Sequence, residues 1–411
     1  MTHPITLSRP QQSELSRFWP AVAACFMTAV FGWGFGFTGT SVYLAELQHL
    51  RGWPTGLIAS AITTYYLLGA LCLTQVHIAL RRLGPARLLA AGVVLLGFGA
   101  SWFSRAQQPW EMFAAALFMA AGWASCTSTA ISTSLALYFQ HQRGLAITLA
   151  LNGASAAGFT VAPALAALSQ HLGVEIAVPV AACVGLLIVL PLIGTSFPLA
   201  GRVAAGDSVA AHGPDHAGTG TLLRSWRFWS IALPFALALA AQVGTIVHMV
   251  SLLRPTLGPA GSATALALTS VAAMSGRLVL AGVIDRLPRR PAAAISIASQ
   301  AVGLGLMLAF PTSAAALYAG CVIFGLSVGN VITYPALIVQ SEFPPAQFAR
   351  VIGLSTAVGQ SLFATSPALL GAIRDVAGSY APVLMLCIVF QVAAALLVAR
   401  EPRRSGVVQP A

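Results

Sequence analysis

Apolar residues in this chain gather into blocks long enough to cross a bilayer, and that feature limits the fold more than any other. Twelve blocks can be marked, at 18–45, 54–79, 86–104, 111–139, 144–169, 175–197, 229–253, 262–284, 291–310, 314–340, 349–373 and 378–400. A helix needs roughly 20 residues to cross ~30 Å of hydrocarbon. The blocks lack the two-residue alternation of a membrane β-strand. Helices are then the spanning elements that satisfy their own backbone groups. Composition agrees: 57% of residues are hydrophobic and only 8% charged, where a soluble globular chain carries about 25% charged residues. The expectation is an all-α membrane protein of twelve transmembrane helices.

The charges orient it. The first stretch, MTHPITLSRPQQSELSRFWP, is polar and lacks a signal-peptide pattern. Every basic side chain apart from histidine is arginine. With both termini in the cytoplasm, sixteen arginines fall on inner segments, four (Arg51, Arg105, Arg254 and Arg374) on outer ones, and Arg277 inside the membrane. The positive-inside rule favours that topology. It also accounts for the net charge of +11 through topology and anionic lipid headgroups, without nucleic acid. The expected location is a bacterial inner membrane, bacterial because the arginine-only, alanine-rich composition suggests a GC-rich source. The six cysteines stand singly in apolar helices and read as small core residues. Neither metal spacing nor a cofactor motif is present, so no cofactor is expected.

The segment PLAGRVAAGDSVAAHGPDHAGTGTLLRSW is rich in Gly and Ala and poor in large apolar residues, the composition of a linker. It divides the chain into a cytoplasmic tail at 1–17, a six-helix half at 18–197, a linker at 198–228, a second six-helix half at 229–400 and a tail at 401–411. The halves repeat. Arg82-Leu83 recurs as Arg286-Leu287, Pro163-Ala164-Leu165 as Pro367-Ala368-Leu369 and Phe139 as Phe343, each at an offset of 204 residues. Two parallel, pseudo-symmetric six-helix halves are a transporter plan in which substrate binds at mid-membrane between them.

This layout resembles the major facilitator superfamily over essentially the whole chain. The loop after helix 2 in that family reads G-x-x-x-D-R-x-G-R-R. Here HIALRRLGPAR supplies Arg82, Gly84 and Arg87, with His77 and Arg81 where Gly and Asp are usual. The second copy, AGVIDRLPRR, keeps Asp285, Arg286, Arg289 and Arg290. The resemblance implies a conformational latch involving Asp285, Arg286 and Arg82. A narrower likeness lies in LYFQHQRGLAITLALNG, which resembles the helix 4–5 signature of monocarboxylate-transporter-like and oxalate/formate-antiporter-like members. Tyr138, Phe139, Arg143, Leu145, Ala146, Ala150 and Gly153 match it. Gly52-Trp53-Pro54 is similar to the Gly-Trp that opens helix 2 in those proteins.

Arg277 is the one charge in the 19 residues from Leu266 to Ile284. An arginine near the bilayer centre costs roughly 2.5–3.5 kcal/mol on insertion scales, and this one is too deep for its head to reach the interface easily. The ten acidic residues fall in loops or at helix ends, and Asp285 is two turns further along the same helix. The natural partner is an anion from outside, since a guanidinium grips a carboxylate with two parallel hydrogen bonds. In the subgroup it resembles, an arginine of helix 8 has this role. The alternative is a structural arginine bonded to carbonyls and hydroxyls.

Other polar side chains at helical spacing share a face with a cavity or with a neighbouring helix. Asn330 and Tyr334 in helix 10, Asn152 in helix 5, Gln360 in helix 11 and Thr38 in helix 1 are the candidate substrate contacts. His248 in helix 7 is the remaining titratable group within the membrane. It is a candidate proton or gate residue, or a structural histidine. The leading expectation is a secondary transporter of a small organic anion, a monocarboxylate above all. It would work by alternating access with proton symport or anion exchange, as a monomer in the lipid bilayer. The alternatives are multidrug or metabolite efflux by proton antiport and a non-transporting membrane sensor. No paired carboxylates or nucleophile elbow point to an enzyme.

Overall fold

The computed structural model describes residues 14–139, 142–197, 219–283 and 286–400. It contains helices and no strand among these residues. Twelve membrane-length helices follow in order: α1 Glu14–Arg51, α2 55–83, α3 85–105, α4 Pro109–Ala136, α5 Arg143–Leu172 and α6 Val174–Ser196, then α7 226–257, α8 259–283, α9 Arg289–Ala309, α10 314–342, α11 Pro345–Ala377 and α12 Ala381–Ala399. A one-turn helix at Thr219–Leu223 precedes α7; most of the expected linker lies outside the described residues. The helices start and end within a few residues of the apolar blocks. The start of α1 and the end of α12 share one face, called the terminal face below; the opposite one is the far face.

The perimeter is apolar. Leu71, Leu187, Ile295, Val302, Val389 and Leu396 are exposed large side chains on four helices, α2, α6, α9 and α12, a surface suited to lipid and unsuited to water. Trp19, Trp110 and Trp226 are exposed within the first two turns of α1, α4 and α7, where an indole can sit at headgroup level. Cys183 is exposed and Cys72 half-buried, while Cys25, Cys126, Cys321 and Cys387 are buried and all six are free thiols. The reading of cysteines as core residues therefore holds for four of them.

Two connections are tighter than the sequence suggests. Gly84 (φ 76°) separates α2 from α3, and Gly258 (φ 68°) separates α7 from α8. Each is followed by a proline, Pro85 or Pro259, at the first position of the next helix, where no backbone N–H is needed. A side chain with a Cβ tolerates that left-handed conformation poorly. The polar residues around Arg254 and Pro255 read as a loop, yet the helix continues through them.

Both halves break their fourth helix. In α4 Thr127 is extended (φ −71°, ψ 171°), and in α10 the chain turns at Ile332 and Thr333. The repeated phenylalanines sit alike. Phe139 packs edge-on against Phe18 of α1 at 5.7 Å, and Phe343 lies under the guanidinium of Arg227 of α7 at 4.8 Å. Both join the first and fourth helices of a half at the terminal face.

The second half is tied at that face by Arg290 of α9. Its side chain is 3% exposed and meets Glu342 of α10 through two hydrogen bonds, Nε–Oε1 at 2.5 Å and Nη2–Oε2 at 2.9 Å. It also donates to Ser230 Oγ of α7 at 3.0 Å and to the Val398 carbonyl of α12 at 3.1 Å. One guanidinium thus joins four helices with its charge balanced. Removing one partner of such a pair leaves a buried charge, at a cost of about 3–5 kcal/mol. Glu342→Gln is expected to lower the midpoint of thermal unfolding in detergent clearly, whereas Glu111→Gln, which keeps an oxygen for the Gln108 N–H it caps, should leave it nearly unchanged.

Candidate functional site

A cavity of about 440 Å³ lies between the halves. The first half contributes Trp33, Phe37 and Thr38 from α1, Trp123 and Ser128 from α4 and Ser155 from α5; the second contributes Phe235 and Gln242 from α7, Arg277 from α8 and Ser355 and Gln360 from α11. Its first-half wall is dominated by aromatic rings, Trp33 and Trp123 meeting edge to face at 5.1 Å. The second-half wall carries the larger polar groups. None of the described residues lining it is Asp or Glu.

Local backbone irregularity shapes this wall. Between Gly34 and Thr38 α1 passes through a π turn, a feature that recurs at functional sites. The Tyr65 hydroxyl donates to the Gly36 carbonyl inside it at 2.8 Å, and Thr38 Oγ1 reaches back to Gly34 at 3.4 Å. The broken end of α4 adds Thr127, Ser128 and Thr129 to the lining.

Arg277 is half-buried and donates from Nη1 to Ser155 Oγ at 3.3 Å, its one described hydrogen bond and one that crosses between the halves. The described ion pairs lie elsewhere, toward the two faces: Arg51–Glu175, Arg254–Glu46, Arg290–Glu342 and Arg374–Asp375. Space for the guanidinium comes from α10. A Cβ at Gly329 would stand 3.0 Å from both Nε and Nη2 of Arg277, and one at Gly276 would fall 1.8 Å from the Leu326 carbonyl oxygen. The two helices approach closely enough that Asn330 Nδ2 reaches the Gly276 carbonyl at 3.4 Å.

Arg277, Thr38 and Gln360 are thus brought to one cavity. Asn330 is buried behind Arg277, its Oδ1 without a partner. Tyr334 is 2% exposed and packs in the core of the second half. Asn152 is half-buried and not part of the lining. His248 is 1% exposed, away from the lining: Nε2 donates to the Pro367 carbonyl at 3.0 Å and Nδ1 faces the Tyr380 hydroxyl at 3.4 Å. That ties α7 to α11 and to the start of α12. Arg82 and Arg286 are exposed at the terminal face, Arg82 beside His77 and Arg81; Asp285 lies outside the described residues. Gln242, one turn and more before His248 in the apolar α7, joins the cavity without being among the expected substrate contacts.

The halves are joined on the far side of the cavity. Arg254 Nη1 of α7 pairs with Glu46 Oε1 of α1 at 2.9 Å, and Ser41 Oγ accepts from Val250 N–H at 3.1 Å. Asp375 of α11 sits on the first turn of α2, accepting from Thr55 N–H at 3.1 Å and Gly56 N–H at 2.6 Å. A carboxylate there meets both the free N–H groups and the positive end of the helix dipole. Nearer the middle, Thr63 Oγ1 accepts from Ala368 N–H at 3.0 Å. The cavity extends the other way, past Leu73, Ile332, Pro335 and Ile352 toward the terminal face.

Two helical halves around a central, largely apolar cavity with a few large polar side chains, fastened on one side of it, are the plan of a membrane carrier. The chain belongs to the Major Facilitator Superfamily, whose family model matches residues 22–367. A search of the curated proteins found no match. Among solved structures the chain is similar to that of the nucleoside transporter NupG, a mutant form, with a TM-score of 0.78 and 10% identity over 92% of this chain and 98% of that one. At that identity the likeness speaks for the fold.

Two outcomes follow from this geometry. Gly329→Ala should displace the Arg277 side chain and weaken ligand binding about ten-fold, a change of ~1.4 kcal/mol, read by ligand titration of folded protein. Asp375→Asn should weaken the far-side fastening by about 1 kcal/mol. In a variant lacking the native cysteines, a water-soluble maleimide should then label Ser41→Cys several-fold faster than in the Asp375 parent.

Proposed function

We propose that the protein moves a small organic anion, a monocarboxylate above all, across a bacterial inner membrane, with both termini in the cytoplasm. The observation that carries this reading is Arg277: a guanidinium on the cavity wall, held by one serine and lacking a described carboxylate partner. Between low-dielectric walls such a charge favours an anionic ligand capable of two parallel hydrogen bonds. The opposing wall of Trp33, Phe37 and Trp123 suits the apolar body of the acid. Neutralising the guanidinium lowers the barrier to closing the cavity, so the filled carrier rocks more readily than the empty one. Thr38 and Gln360 are proposed substrate contacts. Asn152, Asn330 and Tyr334 are proposed to reach the substrate or support its site in another conformation. With both termini inside, the structure corresponds to the inward-open state, and the latch of Asp285, Arg286 and Arg82 would form as the terminal face closes.

No carboxylate among the described lining residues can carry a coupling proton. The cycle is therefore driven by anion exchange, or by a proton that travels on the substrate acid or on His248. A second reading, a neutral hydrogen-bonding solute such as a nucleoside, draws support from the same aromatic wall and from Gln242 and Gln360, side chains able to stack on and bond to a base. Cation efflux finds no acidic residue in the described lining.

Ligand-dependent thermal stabilisation separates these readings. The panel is short monocarboxylates, dicarboxylates, aromatic acids, nucleosides and cationic drugs, applied to wild type and Arg277→Gln. Stabilisation by one acid class, lost by at least about ten-fold in apparent affinity in the folded variant, is the expected result. A response to nucleosides or cations alone, unchanged in Arg277→Gln, would overturn the organic-anion reading.

A further inference from the structure

Three glutamines from three helices form a buried chain that ends at the cavity. Gln391 Nε2 of α12 donates to the Ala238 carbonyl of α7 at 3.2 Å and to Gln300 Oε1 of α9 at 2.7 Å. Gln300 Nε2 donates in turn to Gln242 Oε1 of α7 at 2.9 Å. Gln300 and Gln391 are fully buried and Gln242 is 2% exposed, its remaining surface on the cavity.

The direction of this chain is fixed at its start. A backbone carbonyl only accepts, so the group of Gln391 against Ala238 must be the NH₂. The same nitrogen reaches Gln300, which must answer with its oxygen. That leaves the Gln300 nitrogen to face Gln242, and the oxygen of Gln242 is consumed in accepting it. Reversing any one amide sets two oxygens or two NH₂ groups against each other, a loss on the order of 1–3 kcal/mol in a buried site. The Nε2 of Gln242 is left over, with two N–H donors and no described protein partner. This donor opens on the cavity already oriented, so a ligand acceptor placed there replaces water without the cost of fixing the amide and gains more than it would beside a freely rotating glutamine.

Gln242 and Arg277 stand at similar depth. Counted from the turn at Gly258, Gln242 is 16 residues back along α7 and Arg277 is 19 residues on along α8. At ~1.5 Å per residue the two Cα atoms differ in depth by about 5 Å. Both reach one cavity of about 440 Å³.

We propose that Gln242 is a specificity-determining residue, a donor locked in one orientation by Gln300 and Gln391. The transported acid then carries a second oxygen acceptor, a keto, hydroxyl or further carboxylate oxygen, beyond the carboxylate that Arg277 takes. This rests on the organic-anion reading, and its test separates the two.

The test uses acid pairs that differ by one acceptor: butyrate and 2-oxobutyrate, phenylacetate and phenylglyoxylate, butyrate and succinate. Binding is titrated to wild type, Gln242→Glu, Gln242→Leu and Gln300→Leu. Gln242→Glu is the informative variant. Its carboxylate can still accept from Gln300, which favours folding, but it presents oxygen instead of N–H to the cavity. Wild type is expected to bind the oxygen-bearing member of at least one pair about ten-fold more tightly. Gln242→Glu and Gln242→Leu should bring that ratio to about one. Gln300→Leu, which frees the Gln242 amide to turn, should lower it part of the way.

Equal binding of every pair by wild type, or a ratio unchanged in Gln242→Glu, would overturn the assignment. If wild type binds none of the acids, the organic-anion reading fails, and uridine and adenosine become the probes. Binding kept in Arg277→Gln and lost in Gln242→Glu then supports the fixed donor; binding unchanged in both removes it.

Discussion

Helices surrounded by hydrocarbon gain little from burying one another's apolar side chains, so cohesion depends on how closely their backbones approach and on polar groups that cross between them. The contact of α8 with α10 shows what this dictates. Gly276 lies so near the Leu326 carbonyl that a methyl group would not fit, and the same close approach puts Gly329 beside the Arg277 guanidinium. Close packing and room for a charge come from one surface. The position of the arginine on the cavity wall is therefore a consequence of helix packing, and the two cannot be altered independently.

Charge is distributed to match. Near the faces, water and headgroups lower the penalty for ionised groups, and there the described ion pairs lie, Arg290 with Glu342 within a half and Arg254 with Glu46 between halves. Nearer mid-depth the halves meet through contacts without an ion pair, a serine on Arg277, a threonine on the Ala368 amide and the tilted rings of Tyr66 and Phe363. A carrier must break and remake its cross-half contacts in every cycle. Small contacts near the substrate and ion pairs near water keep each break within the range that one ligand can offset.

Much of the fold was legible because hydrocarbon enforces it. Block length gave twelve helices, and the repeat of Phe139 as Phe343 marked positions that the structure puts at matching corners of the two halves. The breaks at Thr127 and at Ile332–Thr333, and the π turn at Gly34–Thr38, could not be placed from hydropathy, since the small polar residues around them lie inside blocks that remain apolar over their full length. Arg254 and Pro255 misled in the other sense, because polarity at a membrane boundary need not stop a helix. For the site, rarity was the useful signal: one arginine in an apolar run lies on the cavity wall. Polar spacing was a weaker guide. It shows that a side chain has left the lipid, but Thr38 and Gln360 left it for the cavity while Asn330, Tyr334 and His248 left it for a neighbouring helix. The Gln242–Gln300–Gln391 chain was out of reach for a related reason, as its members are far apart in sequence and meet only once α7, α9 and α12 are packed.

The cap that Asp375 places on α2 reads no side chain at its receiving end. It takes the main-chain N–H groups of Thr55 and Gly56, which nearly any residue would supply. The fastening is thus genetically lopsided. Drift at position 55 would leave the acceptor's targets in place, whereas position 375 has little freedom beyond a carboxylate. At position 56, where a Cβ would stand 3.0 Å from the Asp375 carboxylate, bulk and not chemistry sets the limit. Chemistry limits one side of this seam and bulk the other, so the partners at a moving interface need not change in step to remain partners.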